Sequence, residues 1–250
     1  MAEKTFRIEQ IRGLNDYGTP SIDSSTSRSL DNVITRNNRL LGRLGLNKLL
    51  GISTASGTTP IIGLAPYTTP DGTSTLIRIT PTKVEKLNTG TIAWDDITGT
   101  NLAASASSLP QSCMHKGTFC FTDGGADQIR KWAGSGNTAT LGGGPPYCKA
   151  LWQAWGFLFA GNVSSDGVTF SPRQILYTDD FDNDWSICNG NEINFEETSG
   201  GILVGVPYGQ LVPVFKTDCV MQLAFIGGLV RFAQDKLNYS SGLGASLSPA

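Results

Sequence analysis

Beyond about residue 50 the chain alternates apolar and polar residues with a period of two. In Ser74-Thr-Leu-Ile-Arg-Ile-Thr, Leu76 and Arg78 fall on one face of an extended strand, Ile77 and Ile79 on the other. Pro81 interrupts it, and Lys83-Val-Glu-Lys-Leu begins a second strand. The same sequence of apolar strand, polar turn and second strand recurs three times: at 117–122 with 128–132, at 154–161 with 173–178, and at 209–216 with 219–224. Each unit reads as a β-hairpin. Leu76, Phe119, Phe157 and Leu211 mark comparable points, 43, 38 and 54 residues apart. Propeller blades repeat at about 40–50 residues. Trp94, Trp132 and Trp185 each follow the hairpin of their own unit, where an indole fills the gap between blades. A β-sandwich also spaces short strands evenly. The expectation is an all-β protein, a propeller-like array of β-hairpin blades over residues 51–250, preferred to the sandwich.

Residues 1–50 differ. They hold no Trp or Cys, and Tyr17-Gly-Thr-Pro-Ser-Ile-Asp-Ser-Ser-Thr-Ser is rich in turn formers. Eight Lys/Arg against five Asp/Glu give this stretch +3, which leaves −5 for residues 51–250 of a whole-chain −2. We read an extended N-terminal arm that contacts neighbours, with Arg7, Arg12, Arg28, Arg36, Arg39 and Arg43 as its interaction residues. Residues 27–43 allow one short helix or a strand pair. Residues 101–108 read as a loop or one helical turn, and 134–146 as a long Gly-rich link. A balance this near neutral argues against a surface built to grip nucleic-acid phosphates throughout.

The chemistry on offer is thin. A single histidine, His115, removes most His-dependent active sites, and beside Lys116 it reads as an exposed loop residue. Five cysteines, 113, 120, 148, 188 and 219, include no Cys-x-x-Cys pair, and read as reduced, buried small hydrophobes rather than disulfides or zinc ligands. Asp180, Asp182 and Asp184 alternate as calcium ligands do, but an EF-hand loop from Asp180 would need Gly and Glu where Trp185 and Asn191 stand. A calcium site of another kind, or a solvated turn, remains. Ser164-Ser-Asp-Gly-Val-Thr-Phe is similar to the Asp-box turn of sialidase-type propellers, one residue short and without its tryptophan; that box is a structural turn. Trp152, Trp155, Phe157 and Phe159 read as a packed face or a stacking platform for sugars or bases. No catalytic set, cofactor loop or resident metal set emerges, so no enzyme activity and no cofactor are expected. The longest apolar run, 223–230, is too short for a membrane helix, and the first ten residues carry no signal-type apolar segment, so no membrane insertion is expected.

Several short motifs resemble the β-propeller tail-nozzle and head-to-tail (packaged-DNA stabilisation) proteins of short-tailed bacteriophages. They are Gly13-Leu-Asn-Asp, Leu30-Asp-Asn-Val and Leu41-Gly-Arg-Leu-Gly at the start, then Trp94-Asp-Asp-Ile-Thr-Gly and Phe121-Thr-Asp-Gly with Ile129-Arg-Lys-Trp. Further on come Arg173-Gln-Ile-Leu-Tyr-Thr-Asp with Asp184-Trp, and Val214-Phe-Lys-Thr-Asp-Cys-Val-Met-Gln-Leu. The resemblance spans most of the chain, though such relatives are longer. It implies a virion structural protein of the tail, assembled in the host cytoplasm. Copies would form a ring, a hexamer, below the portal-adaptor complex, in contact with the adaptor or head-to-tail connector and with tailspike or fibre proteins. Phage DNA would pass through non-specifically, with the loops at 134–146 and 164–172 narrowing the passage for genome retention and moving on ejection. Either the natural chain continues past Ala250 or sister copies cover the last edge. The alternative is a carbohydrate-binding, lectin-like propeller that recognises the host, with Trp152 and the 179–184 loop as its site.

Overall fold

Every regular element among the described residues is a β-strand. The computed structural model describes residues 13–14, 26–27, 33–36, 39–42, 59–69, 71–178, 185, 191–228 and 231–236. The chain divides into two units, Met1–Leu50 and Gly51–Ala250. In the first, β1 (Gly13–Leu14) pairs in parallel with β2 (Thr26–Ser27), and β3 (Val33–Arg36) pairs antiparallel with β4 (Arg39–Gly42), Arg36 opposite Arg39. Of the two readings open for residues 27–43, the strand pair is the one formed.

The second unit contains four four-stranded antiparallel sheets, each a meander in chain order. Blade one is β5 (Gly63–Thr68), β6 (Ser74–Ile79), β7 (Val84–Asn88) and β8 (Ala93–Asp96). Blade two is β9 (Gln111–His115), β10 (Thr118–Thr122), β11 (Arg130–Trp132) and β12 (Ala139–Thr140). Blade three is β13 (Tyr147–Ala154), β14 (Phe157–Ser164), β15 (Ser171–Tyr177) and β16 (Glu192–Asn194). Blade four is β17 (Ile202–Gly205), β18 (Leu211–Lys216), β19 (Val220–Phe225) and β20 (Phe232–Lys236). The architecture is all-β and propeller-like. The four expected hairpins are the two middle strands of each blade, and the structure adds a first and a fourth strand to each. One reading is corrected here. Residues 134–146 are not a bare Gly-rich link, because they carry β12, anchored by the N–H of Thr138 on the Ile97 carbonyl and that of Leu141 on the Ile129 carbonyl.

Blades adjoin through their first strands: β9 lies against β13, β13 against β17, and β5 touches β9, with no comparable β5–β17 contact among the described strands. The core lies between blades. Ile77, Ile79 and Tyr67 of blade one meet Phe119, Phe121 and Trp132 of blade two. Cys120 and Ile129 of blade two meet Leu158, Ala160 and Val163 of blade three. Phe157, Phe159 and Tyr177 of blade three meet Val212, Val214, Met221 and Leu223 of blade four. Successive residues of β10 and β14 therefore feed opposite cores, as the pleat requires. That is why β14 reads as an unbroken apolar run, whereas β6 and β18, in the terminal blades, alternate.

Two devices fix the blade-to-blade fit. Gln111, at the head of β9, donates from Nε2 to the Leu203 carbonyl of blade four (2.7 Å), and its Oε1 accepts the Leu151 N–H of blade three (3.1 Å). Trp152, stacked on Phe159 with centroids 5.5 Å apart, lies between two glycines. A Cβ on Gly161 would stand 3.1 Å from Cζ3 of the indole, and one on Gly205 only 2.4 Å from Cε2. The absence of a side chain at both positions lets the largest residue of blade three reach blade four.

Candidate functional site

Most of the expected interaction residues lie at the chain's start. Arg7, Arg12, Arg28 and Arg43 are outside the described residues, as are Asp180, Asp182 and Asp184. Arg36 and Arg39 are opposite positions in the register of β3 and β4, so two arginine positions fall together at one end of that hairpin.

Other expected positions are placed within the blades, and two are corrected. His115 is not an exposed loop residue: it ends β9 and is buried, because the turn begins only at Lys116. Trp152 is 3% exposed and cannot serve as a stacking platform. The aromatic that does reach the surface in this region is Trp155, half-buried in the β13–β14 turn with a left-handed φ of 51°. Its ring is 6.1 Å from that of Phe225, which is exposed. Trp132 and Trp185 sit in the cores between blades one and two and between blades two and three, as expected of gap-filling indoles. Trp94 instead lies half-buried on the outer face of blade one, under the guanidinium of Arg78 at 4.3 Å, which in turn pairs with Glu85 at 2.6 Å.

The loop at 164–172 is a fixed turn. The Ser164 hydroxyl donates to Asp166 Oδ1, which also accepts the N–H groups of Val168 and Thr169. These bonds, the Ser164 one foremost, pull the Asp166 carboxyl down to about 2. The Asp-box likeness is thus carried by a structural Asx-type turn. Cys120, Cys148 and Cys219 are buried and in no disulfide among the described residues, and burial pushes the Cys148 thiol up to about 12, so it stays protonated at neutral pH. Among the described residues no group of three or more His, Cys, Asp or Glu side chains is placed to hold a metal ion.

Two surfaces stand out for exposure. On the outer face of blade one, Leu64 is 61% exposed, beside exposed Pro66. On blade four, Val206, Tyr208, Leu211, Phe225 and Ile226 are all exposed, clustered at the end formed by the β17–β18 and β19–β20 turns. Sequence reasoning missed this cluster. Its residues are scattered among turn glycines, and only the pairing of Leu211 with Ala224 and of Phe225 with Phe232 brings them to one end. The four first strands, which adjoin from blade to blade, contain no Asp or Glu and a single Lys, Lys149. A groove of about 560 Å³ runs along β9, β13 and β17 between Met114, Leu151 and Val204.

No protein-family model matches the chain, and no curated protein matches it. Solved structures do. A streptogramin B lyase structure is 11% identical, over 72% of this chain and 56% of that one, with a TM-score of 0.43. Hsv2 of Kluyveromyces lactis is 13% identical, over 74% of this chain and 65% of that one, with a TM-score of 0.35. The chain thus spans between half and two thirds of the length of these structures.

Proposed function

We propose that the protein is a structural subunit of a virion, a tail-nozzle or hub component of a short-tailed bacteriophage, acting through assembly rather than catalysis. The observation that supports this most is exposed apolar surface at two separate places, Leu64 on blade one and the turn end of blade four at Tyr208, Leu211 and Phe225. Apolar surface of this kind marks a contact site. Two different patches on one chain suit a heterologous contact, the type that closes into a ring. The motifs shared with nozzle proteins supply the setting, a ring below the portal and adaptor through which phage DNA passes. First strands without carboxylates agree with surfaces that meet a polyanion without repelling it strongly.

The test is direct imaging. Purified protein at micromolar concentration, and the particles that contain it, are examined by electron microscopy with class averaging. Rings of fixed rotational symmetry, sixfold in this proposal, are expected. A monodisperse monomer that is also absent from particles overturns it. The second reading, a carbohydrate-binding module, loses Trp152 as its platform through burial.

A further inference from the structure

We infer that a pocket where blades two, three and four meet is a binding site for a compact acidic sugar, a ring bearing hydroxyls and one carboxylate. The pocket encloses about 360 Å³ and is separate from the exposed apolar patches. That volume is within the range of small-ligand sites. Its frame is rigid, since Gln111 lies in the wall and ties all three blades together through Leu203 and Leu151. Ile202 and Leu203 supply an apolar side.

The polar groups converge from separate elements. Among the described residues, Ser105, Ser107 and Ser108 present hydroxyls that bond only to one another and to the Ser105 N–H. Lys149 brings an ammonium, held 4.4 Å over the Phe170 ring, and no carboxylate lies within 4.0 Å of it among the described residues. Asn162 stands in the wall with a left-handed φ of 54°, and its buried Oδ1 has no hydrogen-bond partner. No acid lines the pocket. The two nearest in sequence are committed to the fold: Asp123 Oδ1 accepts the Asp127 N–H, and Asp127 Oδ2 accepts the Ala103 N–H.

These groups define the ligand's chemistry. A lone ammonium beside hydroxyl donors asks for an oxyanion. Serine hydroxyls ask for hydroxyls that both donate and accept. An apolar side suits the C–H face of a pyranose. One acidic monosaccharide unit meets all three demands, a neutral sugar only two, and a bare inorganic anion only the first. The inference goes beyond the ring, because every group belongs to a single chain.

The test is a titration of the intact ¹⁵N-labelled protein, followed by amide shifts, with three probes: glucuronate, glucose and inorganic phosphate. Saturable glucuronate binding is expected, with shifts at Ser105, Ser107, Ser108, Gly124, Lys149 and Leu203. Glucose and phosphate should each bind at least tenfold more weakly. Lys149→Gln, at an exposed position, should weaken glucuronate at least tenfold with an otherwise unchanged spectrum, and Ser107→Ala a few-fold. Phosphate or glucose binding as tightly as glucuronate overturns the inference. So do unchanged affinity in Lys149→Gln and the absence of saturation by glucuronate. None of these outcomes depends on whether rings form.

Discussion

At the residue scale, the tightest constraint is the indole of Trp152 held between Gly161 and Gly205. Gly205 is buried, and a Cβ there would lie 2.4 Å from the ring, against the Cε2, Cδ2 and Nε1 atoms of a core indole. Gly205→Ala should therefore cost about 2 kcal/mol by overpacking, read as a Tm several degrees lower. Gly90→Ala, whose added methyl meets only the end of the Asn88 side chain at 3.4 Å, should stay within about 0.5 kcal/mol of the parent. Equal effects of the two would refute the clamp. Asp166 gives a pH prediction. Its folded carboxyl sits near 2, below the ordinary value of about 3.9. The depressed value means its stabilising bonds are in place above that ordinary value and are lost as pH falls toward 2. Amide protection at Val168 and Thr169 should follow that window, and a carboxyl shift titrating near 4 would contradict it.

At the element scale, each blade is a local object, and the fit between blades is what must be specified. Gln111 reaches from blade two to a carbonyl of blade four and an N–H of blade three. Gln111→Leu preserves bulk but leaves both backbone groups without that partner, and should cost about 2 kcal/mol. Unfolding midpoints in urea for the variant and parent measure it; coincident midpoints would show that the inter-blade bonds contribute nothing. How much of this was legible follows the same division. Ile77 and Ile79 alternate with Arg78 because one face of β6 enters the core shared with blade two while the other sets Arg78 against Trp94 and Glu85, so β6 stood out in the sequence. The middle strands of the other blades, flanked by clear turns, did too. Several of the missed strands have weak patterns. β12 is two residues, Ala139–Thr140, both exposed, and β20 exposes all but Phe232. β9 reads as half-buried throughout until His115. Their identity as strands comes from pairing with a neighbour and not from their own residues. The pocket beside Lys149 was illegible for a related reason. Lys149 and Asn162 are neighbours on adjacent strands of blade three, but the serines at 105–108 and Leu203 of blade four reach them only when the blades adjoin, whereas Trp152 looked available because sequence does not show which aromatic a neighbouring blade covers.

At the scale of the whole molecule, the described blades leave apolar patches on the first and the fourth. If rings form through these, Leu211→Asp, at a position already 37% exposed, should abolish them while leaving the Tm of the isolated chain unchanged within about 1 °C. Analytical ultracentrifugation distinguishes the states, and undiminished rings would remove this face from the contact. The strand order has a separate consequence for biosynthesis. Among the described residues every sheet pairs only strands that are consecutive along the polypeptide. A ribosome therefore releases each one ready to zip up before its successor emerges. No early strand has to wait, unpaired, for a partner made last, which spares the nascent protein the exposed edges that invite misassembly.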